Sequence, residues 1–234
     1  MVTGNPVLIS SLLNRIRGLW AMLKQYPVFR RRSYPIESVD GVRDFAVTRS
    51  AFIAQKTMFG YVKTRMGTSY PEMFRDDLII ASLKEATMQH YSACLSDLTT
   101  YLYRDLAEHG YLNQADCAEH AKKTFRSGLE SNKDDSLELF DMEKACIAFE
   151  ARIRDIAWPE PVDPFLVFVE SSRSLTRWAP IADDLKKRDR EIAENSVSFA
   201  WIEVRKEFHD LLQLPKQSEI ESPSVSQLSR LITC

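Results

Sequence analysis

Apolar side chains recur every three or four residues through three long segments, and this recurrence restricts the possible folds more than any other feature. The segments are 40–66, 71–108 and 181–212. In the first of them, four large apolar residues follow one another at intervals of seven: Phe45, Phe52, Phe59 and Met66. That period is typical of an α-helix packed against other helices. The sequence therefore predicts an all-α fold, a multi-helix bundle of about six to seven helices with long central helices.

Shorter helices are predicted before and between these segments. A first helix is expected over about 10–25, and a shorter, polar helix over about 112–128. Asp135 and Glu138 resemble a capping box, which predicts a further helix over about 136–156.

The strongest interruption of helical pattern is the proline-rich segment 158–164, which has three prolines within six residues. It is either a rigid corner inside one domain or a linker between two, and the corner is favoured because only about 50 structured residues follow it. Asp163 can cap a helix after this corner, although a short strand over 165–169 is the alternative. The predicted organisation is a basic amphipathic segment (1–36), a helical domain (37–213) and a disordered tail (214–234) rich in Ser, Gln and Glu.

Positive charge is concentrated at the start of the chain. Residues 1–36 contain six Lys and Arg residues and no acid, whereas the whole chain has a formal net charge of −2. This asymmetry indicates a surface for a protein partner or an anionic membrane. The predicted surface comprises Arg15, Arg17, Trp20, Lys24, Arg30, Arg31 and Arg32.

Other interpretations of this basic segment stay open. Its apolar residues can pack on the bundle while the arginines face water or pair with the acidic remainder. Clustered Lys and Arg residues also suit nucleic acid, although that partner is disfavoured here. Arginine-rich, acid-poor segments also occur in organellar leaders.

Motifs for catalysis and cofactor binding are incomplete or missing. Gly67-Thr-Ser69-Tyr-Pro71 approaches the GxSxG motif of hydrolases, but Pro71 replaces the last glycine and the flanking segments are helical. Cys117 and His120 have a spacing that can hold zinc, but no second pair accompanies them. No Walker A or GxGxxG motif occurs. The sequence therefore predicts no metal, no cofactor and a non-enzymatic protein.

The rival interpretation is a hydrolase, esterase-like, with an unfamiliar motif. Its candidate catalytic residues are Ser69, His90 and Asp97, because they fall in or beside one long predicted helix. Asp97 lies near the apolar stripe of that helix, but periodicity cannot decide whether it is buried.

The cysteines and the hydropathy pattern bear on location. The four cysteines are widely spread and form no CxxC motif, and Cys94 and Cys146 fall in apolar helical patterns typical of core residues. Reduced thiols in the cytoplasm are therefore expected. No run of about 18 apolar residues occurs, so no transmembrane segment is predicted.

Two stretches resemble an uncharacterised alphaproteobacterial protein family. They are Arg49-Ser-Ala-Phe-Ile-Ala-Gln-Lys-Thr-Met-Phe-Gly-Tyr-Val-Lys-Thr-Arg-Met-Gly67 with Tyr70-Pro71, and Trp178-Ala-Pro-Ile-Ala-Asp183 with Phe199-Ala-Trp-Ile-Glu-Val-Arg205. The resemblance covers less than a quarter of the chain and brings no mechanism, although an esterase label accompanies some such sequences. It implies only a bacterial, cytoplasmic setting. Peripheral association with the inner membrane is the alternative that the basic segment 1–36 suggests. The leading expectation is a helical protein that acts through a protein partner or an anionic lipid surface.

Overall fold

The described part of the chain is built from six helices of ten or more residues, so the predicted all-α bundle is confirmed. The computed structural model describes residues 34–158, 160 and 163–220. The helices are α1 (Val39–Met66), α2 (Asp77–Glu108), α3 (Gln114–Ser131), α4 (Met142–Ile153), α5 (Val169–Trp178) and α6 (Asp183–Leu211). One-turn helices cover Tyr70–Met73, Pro164–Val167 and Gln217–Ile220.

Helix α2 lies at the centre of the bundle and packs against α1, α3, α4 and α5. Helix α6 packs against α1 and α5 and completes the group. Helices α1 and α6 run antiparallel, since Arg49 pairs with Glu207 at one end and Arg65 pairs with Asp189 at the other. One continuous apolar core fills the space between the helices. Burial of each large apolar side chain in it contributes roughly 1.5–3 kcal/mol.

The ends of α1 follow from local side-chain chemistry. The Ser38 hydroxyl accepts a hydrogen bond from the Gly41 amide at 3.1 Å, which satisfies one free N–H group of the first turn. Gly67 ends the helix with φ 56°, a left-handed conformation that glycine adopts without steric cost. The sequence predicts this stop correctly.

The starts of two predicted helices differ from the structure. Pro71 lies in the one-turn helix Tyr70–Met73, and α2 begins only after Asp76, whose carboxylate accepts from the Leu78 amide at 2.8 Å. The capping box at Asp135 does not form either: α4 starts after Asp141, which accepts from the Lys144 amide at 3.0 Å. Residues 133–141 form turns and irregular chain instead of the first part of a helix.

Residues 165–167 and 169 lie in two helices that a turn at Phe168 separates, which excludes the strand alternative. The β-type pairing found among the described residues is a single parallel bridge between Ile36 and Leu212. Ile36 donates to the Leu211 carbonyl at 2.8 Å and accepts from the Gln213 amide at 2.9 Å, and its side chain is buried. The chain that enters α1 is thus fastened to the chain that leaves α6.

Residues at the boundary of the predicted tail also contact the bundle. The Gln217 amide donates to the Gly110 carbonyl at 3.0 Å, and Leu214 packs against the core. The predicted helix over 10–25 and the tail beyond residue 220 lie outside the described residues. Among the described helices, none combines the length and apolar character needed to cross a membrane.

Candidate functional site

A connected set of polar side chains lies inside the bundle around His90 of α2. The His90 ring is fully buried, and its Nδ1 atom lies 2.6 Å from the Ser174 hydroxyl of α5. Its Nε2 atom lies 2.8 Å from the Thr57 hydroxyl of α1. Both ring nitrogens are therefore engaged by hydroxyl groups from two neighbouring helices.

Burial keeps this ring neutral, because desolvation lowers the pKa of His90 to about 3. A neutral imidazole has one N–H donor and one acceptor nitrogen. The two hydroxyls can also donate to main-chain carbonyls, Thr57 to Ile53 at 2.7 Å and Ser174 to Ser171 at 2.9 Å. Each hydroxyl has only one proton to donate. Because the ring has one acceptor nitrogen, one of the two hydroxyls must donate to it rather than to a main-chain carbonyl. The arrangement fixes the orientation of the His90 ring and links its tautomer to which of the two hydroxyls donates to it.

Asp97, two turns further along α2, forms the second half of the network. It is fully buried, and its carboxylate accepts from the Arg152 guanidinium of α4 at 2.6 Å and from the Ser171 amide of α5 at 2.7 Å. Burial raises the pKa of Asp97 to about 6, although Arg152 and the Ser171 amide oppose that rise. The Trp201 indole of α6 donates to the Ser171 hydroxyl at 3.0 Å. Together the two halves connect α1, α2, α4, α5 and α6.

The candidate catalytic residues of the hydrolase interpretation do not come together as a triad. Ser69 is exposed in the 3₁₀ turn after α1, whereas the two ring nitrogens of His90 bind other hydroxyls. Asp97 binds Arg152 and Ser171. The contact between Ser174 and His90 places a hydroxyl beside an imidazole, but both residues are buried. Their geometry serves to connect helices rather than to present a nucleophile to a substrate.

The zinc spacing of Cys117 and His120 does not form a metal site among the described residues. Cys117 is fully buried, and burial raises the pKa of its thiol to about 12, which disfavours the thiolate that binds metals. The His120 ring stacks on Tyr103 with centroids 6.3 Å apart. In the described part of the chain, no group of three or more His, Cys, Asp or Glu side chains could hold a metal ion.

The predicted core cysteines are confirmed, since Cys94 and Cys146 are both buried. The residues of the predicted partner or membrane surface lie outside the described residues. They are Arg15, Arg17, Trp20, Lys24, Arg30, Arg31 and Arg32.

An apolar cavity of about 100 Å³ lies between α1 and α2, next to the loop that follows α3. It is partly open to solvent. On the α1 side the short side chains of Ala51 and Ala54 leave the space that larger residues would fill. The remaining lining residues are Gln55, Phe59, Ile80, Leu83, Lys84, Thr87, Met88, Tyr91, Asn132, Asp134 and Leu137.

Long-range contacts hold the loop against this cavity. The Glu85 carboxylate of α2 accepts from the amides of Glu138 and Leu139, the latter at 3.0 Å. The Lys84 ammonium lies 3.5 Å from the Asp134 carboxylate. The loop therefore stays beside α2, and Leu137 forms part of the cavity wall.

Several polar groups that line the cavity are bonded within the protein. The Tyr91 hydroxyl donates to the Gly128 carbonyl and accepts from the Asn132 amide, each at 3.0 Å. The Thr87 hydroxyl donates to the Leu83 carbonyl of its own helix at 2.7 Å. These groups are already bonded within the protein, so the cavity offers an apolar site rather than a set of free catalytic groups.

Sequence reasoning missed this cavity. The usable signal is that α1 presents the small residues Ala51 and Ala54 among larger buried apolar residues such as Ile53 and Met58. No local sequence pattern identifies the loop residues that complete the wall. The loop is held in place by Glu85, which lies 54 positions before Leu139.

Comparisons with known proteins indicate no function for this chain. No protein-family model matches the chain, and no match was found among the curated proteins or the solved structures.

Proposed function

We propose that this chain is a non-enzymatic helical protein that binds a small apolar molecule in the cavity between α1 and α2. The observation that carries the proposal is the apolar cavity itself, about 100 Å³ in volume and open to solvent on one side. Binding pockets for small molecules are lined mainly by apolar and aromatic side chains with few polar groups. The lining by Phe59, Leu83 and Met88 fits that description.

The volume of the cavity limits the size of the ligand that it can enclose. In another protein, an apolar cavity of about 150 Å³ admits benzene. The cavity here has about two-thirds of that volume, so the enclosed part of the ligand is a short branched alkyl group or part of an aromatic ring, and any larger part extends through the open side. Transfer of each methylene group from water into such a site contributes about 0.8 kcal/mol.

Thermal unfolding in the presence of toluene or indole tests the proposal. We expect both probes to raise the melting temperature of the full chain, because a ligand that binds the folded state stabilises it by RT ln(1 + [L]/Kd). Replacement Ala51→Leu fills the cavity from the α1 side. This variant should lose the ligand-induced shift and gain about 0.5–2 kcal/mol of stability without ligand.

Ala148→Leu is the matched control, since Ala148 is exposed on α4 and does not line the cavity. It should respond to toluene and indole as the wild-type protein does. An equal response of the Ala51→Leu variant and the wild type would contradict the proposed site.

A second proposal concerns the basic segment 1–36, which we infer contacts a protein partner or an anionic membrane surface. It is supported by the six Lys and Arg residues and the absence of acids in that segment. A cationic segment attached to an acidic bundle would either fold back onto the bundle or reach an anionic partner. An esterase activity receives no support from the positions of Ser69, His90 and Asp97.

A further inference from the structure

A second cavity lies between α5 and the first part of α6, on a different set of helices from the apolar cavity. Its volume is about 390 Å³. Its lining residues are Arg173, Thr176, Arg177, Asp183, Lys186, Lys187, Arg190 and Glu194. Five cationic side chains thus meet two acidic ones, a local excess of three positive charges in a chain whose formal net charge is −2. We call this cavity the cationic cleft.

The two acids are both occupied by partners on their own helix. The Asp183 carboxylate lies 3.3 Å from the Lys186 ammonium, and Glu194 lies 4.0 Å from the Arg190 guanidinium. Arg173, Arg177 and Lys187 have no acidic partner among the described residues. These three cations lie on both walls of the cleft, two on α5 and one on α6.

This concentration of charge does not help the bundle to fold. Arg173 and Arg177 are four residues apart on α5, and like charges at that spacing destabilise a helix by a few tenths of a kcal/mol. The apolar faces of α5 and α6, including the buried Leu175 and Val197, already hold the two helices together. Packing α5 on α6 brings the unpaired cations of both helices to one cleft, whose two acids are already paired with Lys186 and Arg190.

A cleft with an uncompensated positive charge is suited to an anion that carries several charges. Guanidinium groups bind phosphate through two parallel N–H···O bonds, and lysine adds a compact charge. Lys186 also lines the cleft, but Asp183 lies 3.3 Å from its ammonium and offsets its charge. The excess positive charge therefore comes from Arg173, Arg177 and Lys187.

We propose that the cationic cleft binds a small molecule that carries two or more phosphate groups. Two phosphate groups can engage the α5 arginines and Lys187 of α6 at once, which a single phosphate cannot do as well. The volume of about 390 Å³ leaves room for an organic group beside them. The site is independent of the apolar cavity, and neither proposal needs the other.

Calorimetric titration of the full chain with inorganic pyrophosphate at low salt tests this site. We expect saturable binding of one pyrophosphate per chain that weakens as salt is added, because salt screens exposed charges. The double variant Arg177→Gln/Lys187→Gln should lower the association constant at least tenfold. Without ligand it should unfold at a temperature no lower than the wild type, because repulsion between the cations is reduced.

The matched control is Lys122→Gln/Arg154→Gln, which removes two exposed cations from α3 and the end of α4. Its association constant should stay within twofold of the wild-type value. Equal losses in the two double variants would mean general charge attraction and would overturn the proposal. Absence of pyrophosphate binding to the wild type at millimolar concentration would overturn it as well.

Two further titrations separate the possible sources of the phosphate. Vesicles that carry phosphorylated inositol lipid should bind less tightly per headgroup than free inositol bisphosphate if a small molecule is the ligand. A single-stranded oligonucleotide that binds while pyrophosphate does not would assign the cleft to nucleic acid and overturn the proposal. The Ala51→Leu variant should bind pyrophosphate like the wild type, which keeps this test separate from that of the apolar cavity.

Discussion

His90 and Asp97 lie two turns apart on α2, and burial shifts their pKa values in opposite directions. The pKa of His90 falls to about 3 and that of Asp97 rises to about 6, since desolvation disfavours the charged form of each. In the unfolded chain the corresponding values are about 6.5 and 3.9. The folded state therefore binds fewer protons at His90 and more at Asp97 than the unfolded state does.

The pH dependence of stability follows from these differences. As pH falls from about 6.5 toward 3, the unfolded chain gains a proton at His90 that the folded chain does not, so this residue lowers stability by about 1.4 kcal/mol per pH unit. Asp97 has the opposite effect: as pH falls from about 6 to 4, the folded chain gains a proton that the unfolded chain does not, so this residue raises stability. We expect urea unfolding to show that the stability advantage of the wild type over His90→Gln shrinks at about that rate from pH 6 to pH 4.

Ser172→Ala provides the control for this measurement. It removes a buried hydroxyl of α5 that donates to the Phe168 carbonyl at 2.8 Å and does not titrate. Its stability difference from the wild type should be independent of pH. A pH-independent difference for His90→Gln as well would show that His90 is not held neutral.

Two residues of this network, His90 and Asp97, could be named from the sequence, but their roles could not. His90 and Asp97 stand beside a helical stripe, which leaves both burial and exposure possible. Their partners Ser174 and Ser171 lie 84 and 74 positions away. Contacts at such separations depend on how α5 docks on α2, and no local pattern encodes that docking.

At the scale of helices, Gly128 determines how closely α3 approaches α1 and α2. A Cβ atom at this position would lie 2.6 Å from Leu95 Cδ2, 3.0 Å from Val47 Cγ2 and 3.2 Å from the Tyr91 hydroxyl. Real side chains do not pack at the first of these distances, so either the Leu95 side chain or α3 would have to shift. The absent side chain permits the close approach.

Gly128→Ala should therefore destabilise the protein by about 1–3 kcal/mol, because overpacking outweighs the gain in helix propensity of about 1 kcal/mol. Gly60 is the matched control, as it is exposed within α1 and a Cβ atom added there would meet no other atom within 4 Å. Gly60→Ala should stabilise the protein by about 0.5–1 kcal/mol. Urea unfolding of both variants measures the two effects, and effects of the same sign would contradict the close packing of α3 at Gly128.

The helices themselves were predictable to different degrees. Helices α1 and α6 follow their apolar periods, and Gly67 marks the end of α1. The start of α4 was not predictable, because Asp134 instead accepts from the amide and hydroxyl of Ser136 and holds a turn. The Glu85 carboxylate then holds the next part of the loop from another helix. Local propensity for a helix at 136–141 is overcome by these tertiary contacts.

At the scale of the whole molecule, the basic segment joins the bundle beside the end of α6. Ile36 is buried and bonded to Leu211 and Gln213, so the last residues of segment 1–36 also serve the fold. An experiment on the segment should therefore remove residues 1–33 and leave Ile36 in place.

Co-sedimentation with vesicles tests the proposed role of the segment. We expect the full chain to sediment with vesicles rich in anionic lipid, less so as salt is added, and a chain beginning at residue 34 to sediment much less. Zwitterionic vesicles serve as the control, and the shortened chain should keep its cooperative thermal unfolding. Equal, salt-insensitive sedimentation of the two chains would remove the membrane proposal and leave the protein partner.

The parallel bridge between Ile36 and Leu212 has a mechanical consequence. The two paired segments run in the same direction. A force that pulls residue 34 away from residue 214 therefore acts parallel to the two segments, at right angles to the hydrogen bonds between them. The hydrogen bonds from Ile36 to Leu211 and from Gln213 to Ile36 are then loaded together in shear and cannot open one after the other. Tension applied between residues 34 and 214 meets its first resistance at this bridge, before any of the six long helices is unwound.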